Sequence, residues 1–323
     1  MHPTNPCLLL PLLVVCSASP VGAQTLAELT ATLAAARTVD DAMVGEDGGK
    51  SPTYAVYERW RDRASQAELL AAVEHEAPTV RAYAVRALVE RETFVDWPRI
   101  LRGFLRDTAI VTTFRGCCLA EQKVGDVVFD TVRPRLTEDR LQDFAEAAIR
   151  GQSPLYAREW ALRNLRLRDG MLHAVRALAE NGDAPAGIAL ARYGLAADAK
   201  ILAALLRDDG APFDENAQFL AAAIHRDPAL LAPLLALEHA AKRRIGVDNP
   251  SRLRFWLQAI AAQRSERAGA FLFRFLRETR PENEFKERDL VQTMAETITP
   301  YADVEAFAAV RGEVRRRQDA QER

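Results

Sequence analysis

The sequence predicts an all-α protein, an α-solenoid of about seven antiparallel helix hairpins. Three observations predict it. The segments Arg81-Ala-Tyr-Ala-Val-Arg-Ala-Leu88 and Arg158-Glu-Trp-Ala-Leu-Arg-Asn-Leu165 share one pattern, Arg–x–aromatic–Ala–aliphatic–Arg–x–Leu, a few residues behind Pro78 and Pro154. They start about 77 residues apart, two units of about 38, within the period range of two-helix repeats. Apolar residues recur at helical spacing along most of the chain, and the turns between repeatedly use Gly, Asp, Asn or Pro, as helix stops and starts require.

Taken in order, Gln24 or Thr25 opens an amphipathic helix with Leu26, Leu29, Leu33 and Ala36 roughly on one face. It stops near Thr38-Val-Asp-Asp41. Residues 45–52, Gly-Glu-Asp-Gly-Gly-Lys-Ser-Pro, read as an exposed loop, and Tyr54–Arg63 as a helix. Ser65 caps the first clear hairpin with Glu68 at capping-box spacing, and Leu69, Leu70 and Val73 form its apolar stripe. The chain turns at Glu76-Ala-Pro78. The second helix puts Val80, Tyr83, Ala84, Ala87 and Leu88 on one face.

Further hairpins are expected from Arg99–Arg106 with Thr112–Lys123, Leu141–Arg150 with Leu155–Leu167, and Met171–Glu180 with Ala186–Leu195. Asp198–Leu206 pairs with Asn216–His225 across Asp208-Asp-Gly-Ala-Pro212, Leu230–Arg243 with Ser251–Gln263, and Glu266–Arg277 with Phe285–Thr297. Asp303–Arg317 closes the array, its basic end read as solvated. No useful stretch alternates in the β manner. Val124–Val132 is the exception, a short strand or an irregular helix.

The run Glu76-Ala-Pro-Thr-Val-Arg-Ala-Tyr-Ala-Val-Arg-Ala-Leu88 resembles the turn and second helix of a HEAT repeat, including the phycobilisome-lyase type. That pattern is an acidic residue, often Pro, then Val-Arg, and small and leucine residues at helical spacing; Glu76 stands where Asp is usual. The likeness covers 65–91 well and 137–167 recognisably, with Ala157 in place of the valine. It implies a superhelix of helix pairs that mostly binds other proteins. The family covers too many roles to name one.

Residues 1–23 carry no charged residue, Leu8–Cys16 is a short apolar run broken by Pro11, and Val21-Gly22-Ala23 offers small residues before Gln24. This resembles a secretory signal peptide cleaved after Ala23. Lipid attachment at Cys16 is the alternative, with Val15 at the position where a lipobox has a small residue. The expected division is thus a signal peptide over 1–23, a helix and flexible loop over 24–53, and the solenoid over 54–323. The expected location is a bacterial periplasm.

The chain is 49% hydrophobic and 27% charged, with aromatics at only 7%, which suits helices packed through small side chains. A formal charge of −2 argues against a general attraction to nucleic acid or acidic membranes. No later stretch is apolar for long enough to span a bilayer.

Candidate chemistry is sparse. The Gly45–Ser51 segment has one residue too few for a phosphate-binding loop, and Glu46 and Asp47 would repel phosphate. Cleavage would remove Cys7 and Cys16 and leave Cys117-Cys118, read as buried structural thiols on a helix, with a redox or metal role as the alternative. His75, His173, His225 and His239 stand in no zinc-ligand spacing and read as structural. Arg81 and Arg158 flank the core stripe and are expected to meet acids of a neighbouring unit. Arg86 and Arg163 point away from it, towards solvent or an acidic partner. Tyr83 and Trp160 share a buried position and read as packing. The expectation is a non-enzymatic protein with no cofactor that presents a helical surface to a protein or peptide. The alternative is a redox- or metal-linked accessory protein using Cys117 and Cys118.

Overall fold

A computed structural model describes residues 24–206, 215–238, 250–279 and 284–322. The expected signal peptide with Cys7 and Cys16, the Asp208–Pro212 turn and His239 lie outside those residues. The chain is mostly helical and divides into two compact units. One runs up to Arg91 and takes in Val111–Glu121; the other comprises Glu92–Ile110 and everything from Gln122.

In the first unit, α1 (Leu26–Ala35) begins with a reciprocal cap. The Glu28 N–H donates to the Thr25 hydroxyl at 3.2 Å and the Thr25 N–H to the Glu28 carboxylate at 2.7 Å, which satisfies two donors that a helix start leaves open. Strand β1 (Thr38–Val44) and the two-residue β2 (Gly49–Lys50) follow, joined by a turn in which Gly45 and Gly48 take φ of +83° and +61°. Those left-handed values are why glycine stands there. Next come α2 (Pro52–Arg63), α3 (Gln66–Ala72) and α4 (Pro78–Glu90). Ser65 and Glu68 form the expected capping box on α3. Helix α4 is buried on nearly every face, from Thr79 to Leu88, which is why its sequence is so rich in alanine and valine.

The same unit holds the main departure from an all-α fold. Strands β3 (Ile110–Gly116) and β4 (Cys118–Lys123) complete a four-stranded sheet of order β2-β1-β3-β4. β1 runs antiparallel to β2 and parallel to β3, with Thr38 opposite Thr112 and Val39 opposite Thr113. The helix expected over Thr112–Lys123 does not form. Ile110, Val111, Thr112 and Thr113 are all β-branched, stiff at χ1 and suited to a pleated surface. Val111 and Thr113 are buried while Ile110 is exposed, the period-two pattern of a strand with one face covered.

The second unit is helical throughout its described residues apart from the ends of β3 and β4. It contains α5 (Trp97–Phe104), α6 (Val124–Val132), α7 (Glu138–Arg150), α8 (Tyr156–Asn164), α9 (Leu172–Glu180), α10 (Ala184–Tyr193) and α11 (Ala199–Leu205). Then come α12 (Glu215–His225), α13 (Leu231–Ala236), α14 (Pro250–Ala262), α15 (Glu266–Glu278), α16 (Glu284–Ile298) and α17 (Ala308–Gln321). Val124–Val132 is therefore helix, and it replaces Thr112–Lys123 as the partner of α5. Successive helices pair as α5/α6, α7/α8, α9/α10, α11/α12, α13/α14 and α15/α16. The second members also touch in series, α6 on α8, α8 on α10, α10 on α12, α12 on α14 and α14 on α16. First members do the same from α5 through α7 and α9 to α11. One apolar core runs from Ala145 to Val314.

Helix ends in this packing are closed by charged side chains from other helices. At the start of α8, the buried Asp126 on α6 accepts from the Ala157 N–H at 3.0 Å. At its end, Arg192 on α10 donates to the carbonyls of Leu162 and Leu165, each at 3.1 Å, and to that of Arg163. Burial alone pushes the Arg192 guanidinium below its ordinary pKa, yet the carbonyl end of a helix suits a cation. Arg91, which follows α4, donates to the Ala64 carbonyl that ends α2, and the buried Arg317 on α17 to the Leu276 carbonyl of α15 at 2.7 Å. Each donor sits two helices after the end that it closes. Arg317 also binds Glu313 at 3.1 Å and Glu287 at 2.5 Å, so the basic terminus is partly buried and not simply solvated. Hydrogen bonds from Arg316, against the effect of burial and with help from Arg317, bring the Glu313 carboxyl down to about 2.

Replacing Arg192 with alanine leaves three carbonyls at the end of α8 without that donor. The expected loss is about 1–3 kcal/mol of unfolding free energy, read as a lower urea midpoint at unchanged native helicity. An unmoved midpoint would show that those carbonyls find water instead.

Candidate functional site

Two places concentrate polar side chains within the first unit. One is a network at the junction of β1, α2 and α4. The buried Asp40 accepts from the Ser51 hydroxyl at 2.5 Å, its N–H donates to the Tyr83 hydroxyl at 2.7 Å, and its carbonyl accepts from Arg86 at 2.9 Å. Ser51 also caps α2 by accepting from the Tyr54 N–H at 3.0 Å. On α4, Glu90 accepts from Arg86 Nε at 2.7 Å, Arg61 at 2.7 Å and the Tyr57 hydroxyl at 2.8 Å. The Arg86 guanidinium lies over the Tyr54 and Tyr57 rings at 5.0 and 5.5 Å, and Tyr57 stacks on Tyr83 at 4.7 Å.

The charges in this network follow from its contacts. Burial by itself would raise the Glu90 carboxyl, but hydrogen bonds from Arg86, Arg61 and Tyr57 hold it below its ordinary value. Burial first, then the Glu90 charge and hydrogen bond, push the Tyr57 phenol well up. Burial likewise raises Tyr83. These shifts move Glu90 and both phenols away from neutral pH, so each keeps one protonation state there. Arg86, expected at solvent or a partner, is thus held inside the unit, with side-chain exposure of 22% and a further contact to Asp41 at 3.3 Å. The network draws on residues far apart in sequence. Only the Arg86–Glu90 spacing of four is a signal that the sequence itself offers.

The second place is the β3–β4 hairpin. Gly116, with φ +55°, ends β3, Cys117 forms the turn and Cys118 begins β4. The Thr113 hydroxyl donates to the Ala120 carbonyl across the hairpin at 3.3 Å, and the Gly45 N–H donates to the Gly116 carbonyl at 2.9 Å. β4 is the outer strand of the sheet, and its first four residues are exposed, Leu119 at 62%. Both thiols are free and exposed, with their sulfurs 3.8 Å apart. The expectation of buried thiols on a helix is thereby overturned. The flanking apolar residues that suggested burial, Leu119 and Ala120, belong instead to an edge strand and are exposed among the described residues. Hydrogen bonding to Cys117, together with its charge, raises the Cys118 thiol above its ordinary value.

The remaining candidates are placed as follows. Arg163 on α8 pairs with Glu159 at 2.7 Å, with side-chain exposure of 24%. Arg158 meets Asp183, the cap of α10, at 2.8 Å, the expected link from one unit to an acid of the next hairpin. Arg81 instead donates to the carbonyls of His75 and Glu76 in the turn that precedes it, both at 2.8 Å. Tyr83 is fully buried; Trp160 packs against Phe129 at 5.3 Å, with Arg133 over its ring at 4.8 Å. His75 accepts from the Ala77 N–H at 3.0 Å and so shapes the α3–α4 turn. His225 ends α12 as expected; among the described residues its buried ring nitrogens have no hydrogen-bond partner, and Asp227 lies 4.0 Å from Nε2. Among the described residues no group of three His, Cys, Asp or Glu side chains is placed to hold a metal, and no helix is long and apolar enough to cross a membrane.

Comparison with known protein families, with curated proteins and with solved structures finds no match.

Glu90 sets a pH test. A carboxyl whose folded pKa is depressed adds stability above its unfolded pKa of about 4.3 and loses that contribution as pH falls through the folded value. Glu90→Gln is therefore expected to cost about 1–3 kcal/mol near neutral pH, with the gap from the parent narrowing below about pH 4. Thermal melts across that range check it; a gap that widens in acid would contradict the assignment. At the hairpin, an aromatic disulfide reagent is expected to reach both Cys117 and Cys118 in the reduced native protein, with Cys118 slower than in the unfolded chain because its thiolate is disfavoured there. Strong native protection would place the thiols elsewhere.

Proposed function

We propose that this chain is an exported, non-enzymatic scaffold of the HEAT-like α-solenoid type that presents a helical surface to a polypeptide partner. The observation that carries the reading is the serial contact of hairpins in the second unit, where α6, α8, α10, α12, α14 and α16 each pack on the next. A stack of that kind gains stability from neighbour to neighbour and leaves long faces free for binding. The Arg158–Asp183 pair, which joins one motif to the next hairpin, fits the same scheme. The HEAT resemblance over 137–167, which falls on α7 and α8 of this stack, supports it too, and a like segment over 65–91 recurs in the first unit.

Arg163 is the side chain proposed to meet an acidic partner. Its pair with Glu159 lies along one helix, and the exposed part of the pair is where a partner acid would meet the guanidinium. Arg86 is a poor probe of binding because reversing it would break the Glu90 network. The net charge of −2 supports a polypeptide partner over nucleic acid.

The test uses the mature protein as bait in envelope extract beside its Arg163→Glu variant. A polypeptide retained by the parent, and lost by a variant of equal melting temperature, is the expected result. A partner held equally by both removes Arg163 from the interface, and the absence of any specific partner counts against the scaffold reading. Sequencing the secreted product from its N-terminus should begin at Gln24; a start at Met1 would refute export by cleavage.

A further inference from the structure

We propose that Cys117 and Cys118 form half of a tetrathiolate site for a thiophilic divalent ion of the Zn(II) class, completed by the same pair from a second copy of this chain. The geometry is the first support. Sulfurs 3.8 Å apart subtend about 110° at an ion bonded to each at about 2.3 Å. That is the angle of a tetrahedral site, the coordination that Zn(II) takes with cysteine. The pair can therefore grip such an ion without rearranging the hairpin.

Accessibility is the second. The pair stands at the turn of a hairpin whose outer strand is exposed through its first four residues, so it is open to a second chain. Two thiolates fill half of a tetrahedral shell, and among the described residues no third His, Cys, Asp or Glu is placed to join them. An identical pair supplies the other half with matching chemistry, and a two-fold axis through the ion makes the contact closed and self-complementary. Soft thiolate ligands favour this ion class over magnesium or calcium.

The step is coordination without redox change. Each thiol releases its proton to solvent as its sulfur binds, so an ion with four thiolates liberates up to four protons. Gly116 makes the turn that precedes the pair: at φ +55° it takes a backbone conformation that other residues adopt at a cost. The proposal does not depend on the scaffold reading, since it needs only the hairpin and a second copy.

The experiment uses the full chain, reduced with a phosphine and freed of metal, then titrated with Zn(II) while its mass is followed by light scattering. The expected result is a doubled mass at one zinc per two chains, reversed by EDTA. Cys117→Ser and Cys118→Ser should each abolish the doubling at unchanged helical circular dichroism. The C117S/C118S variant discounts any contribution from Cys7 and Cys16. Cobalt(II) in place of zinc should give the strong visible bands of tetrahedral sulfur coordination. A mass that zinc leaves unchanged, a doubling that persists in C117S/C118S, binding at one zinc per chain, or cobalt spectra without those bands would each overturn the site.

Discussion

The structure depends on how the open ends of its short helices are satisfied inside the packing. Each helix leaves about four N–H groups and four carbonyls without partners of its own, and many helices here are only seven to thirteen residues long, so ends are a large share of the backbone. Asp126 closes the start of α8, and Arg192 closes its finish. Arg91 and Arg317 do the same for α2 and α15 within their own units. These contacts place negative charge at a helix start and positive charge at helix ends, as the peptide dipoles favour. They also fix alignment. A guanidinium reaches a carbonyl end two helices back only if the two helices lie side by side with their ends level, so the cap specifies which helix packs on which and in what register.

Packing between the ends is made by small side chains. Helix α10 is buried from Ala186 to Ala191, and Gly187 would set a Cβ against Leu205 at 2.6 Å. Gly269 on α15 would likewise drive a Cβ into the Ala306 carbonyl. The first unit solves the same problem with rings: Arg86 is held between Glu90 and the faces of Tyr54 and Tyr57, and the buried strand residue Asp40 is tied to Ser51, Tyr83 and Arg86. Charge is retained at the price of desolvation because several hydrogen bonds act on each charged group.

The hairpin at Cys117 and Cys118 is where the structure and the local sequence part company. After the pair lie Leu119 and Ala120, residues that a helix would bury and an edge strand exposes. Ile110-Val-Thr-Thr113 carried the strand signal in its run of β-branched side chains. The neighbouring alanines and leucines made a helical reading of 112–123 look continuous with the rest. Pairing with β4 on one side and with β1, about seventy residues earlier in the chain, on the other gives β3 its hydrogen-bond partners and favours the strand.

By itself the sequence determined what local chemistry governs. The capping boxes at Thr25 and Ser65, the turn at Glu76–Pro78, the helical faces of α4 and α8 and the buried placement of Tyr83 all follow from side chains within a few residues of one another. The tertiary structure alone decided the sheet, the inward commitment of Arg86, the burial of Arg317 and the exposure of the two thiols. The physical reason is one of range. Propensity, periodicity and capping act over one or two helical turns, whereas a strand's partner, a buried cation's acceptors and a thiol's access to water are set by segments tens of residues away.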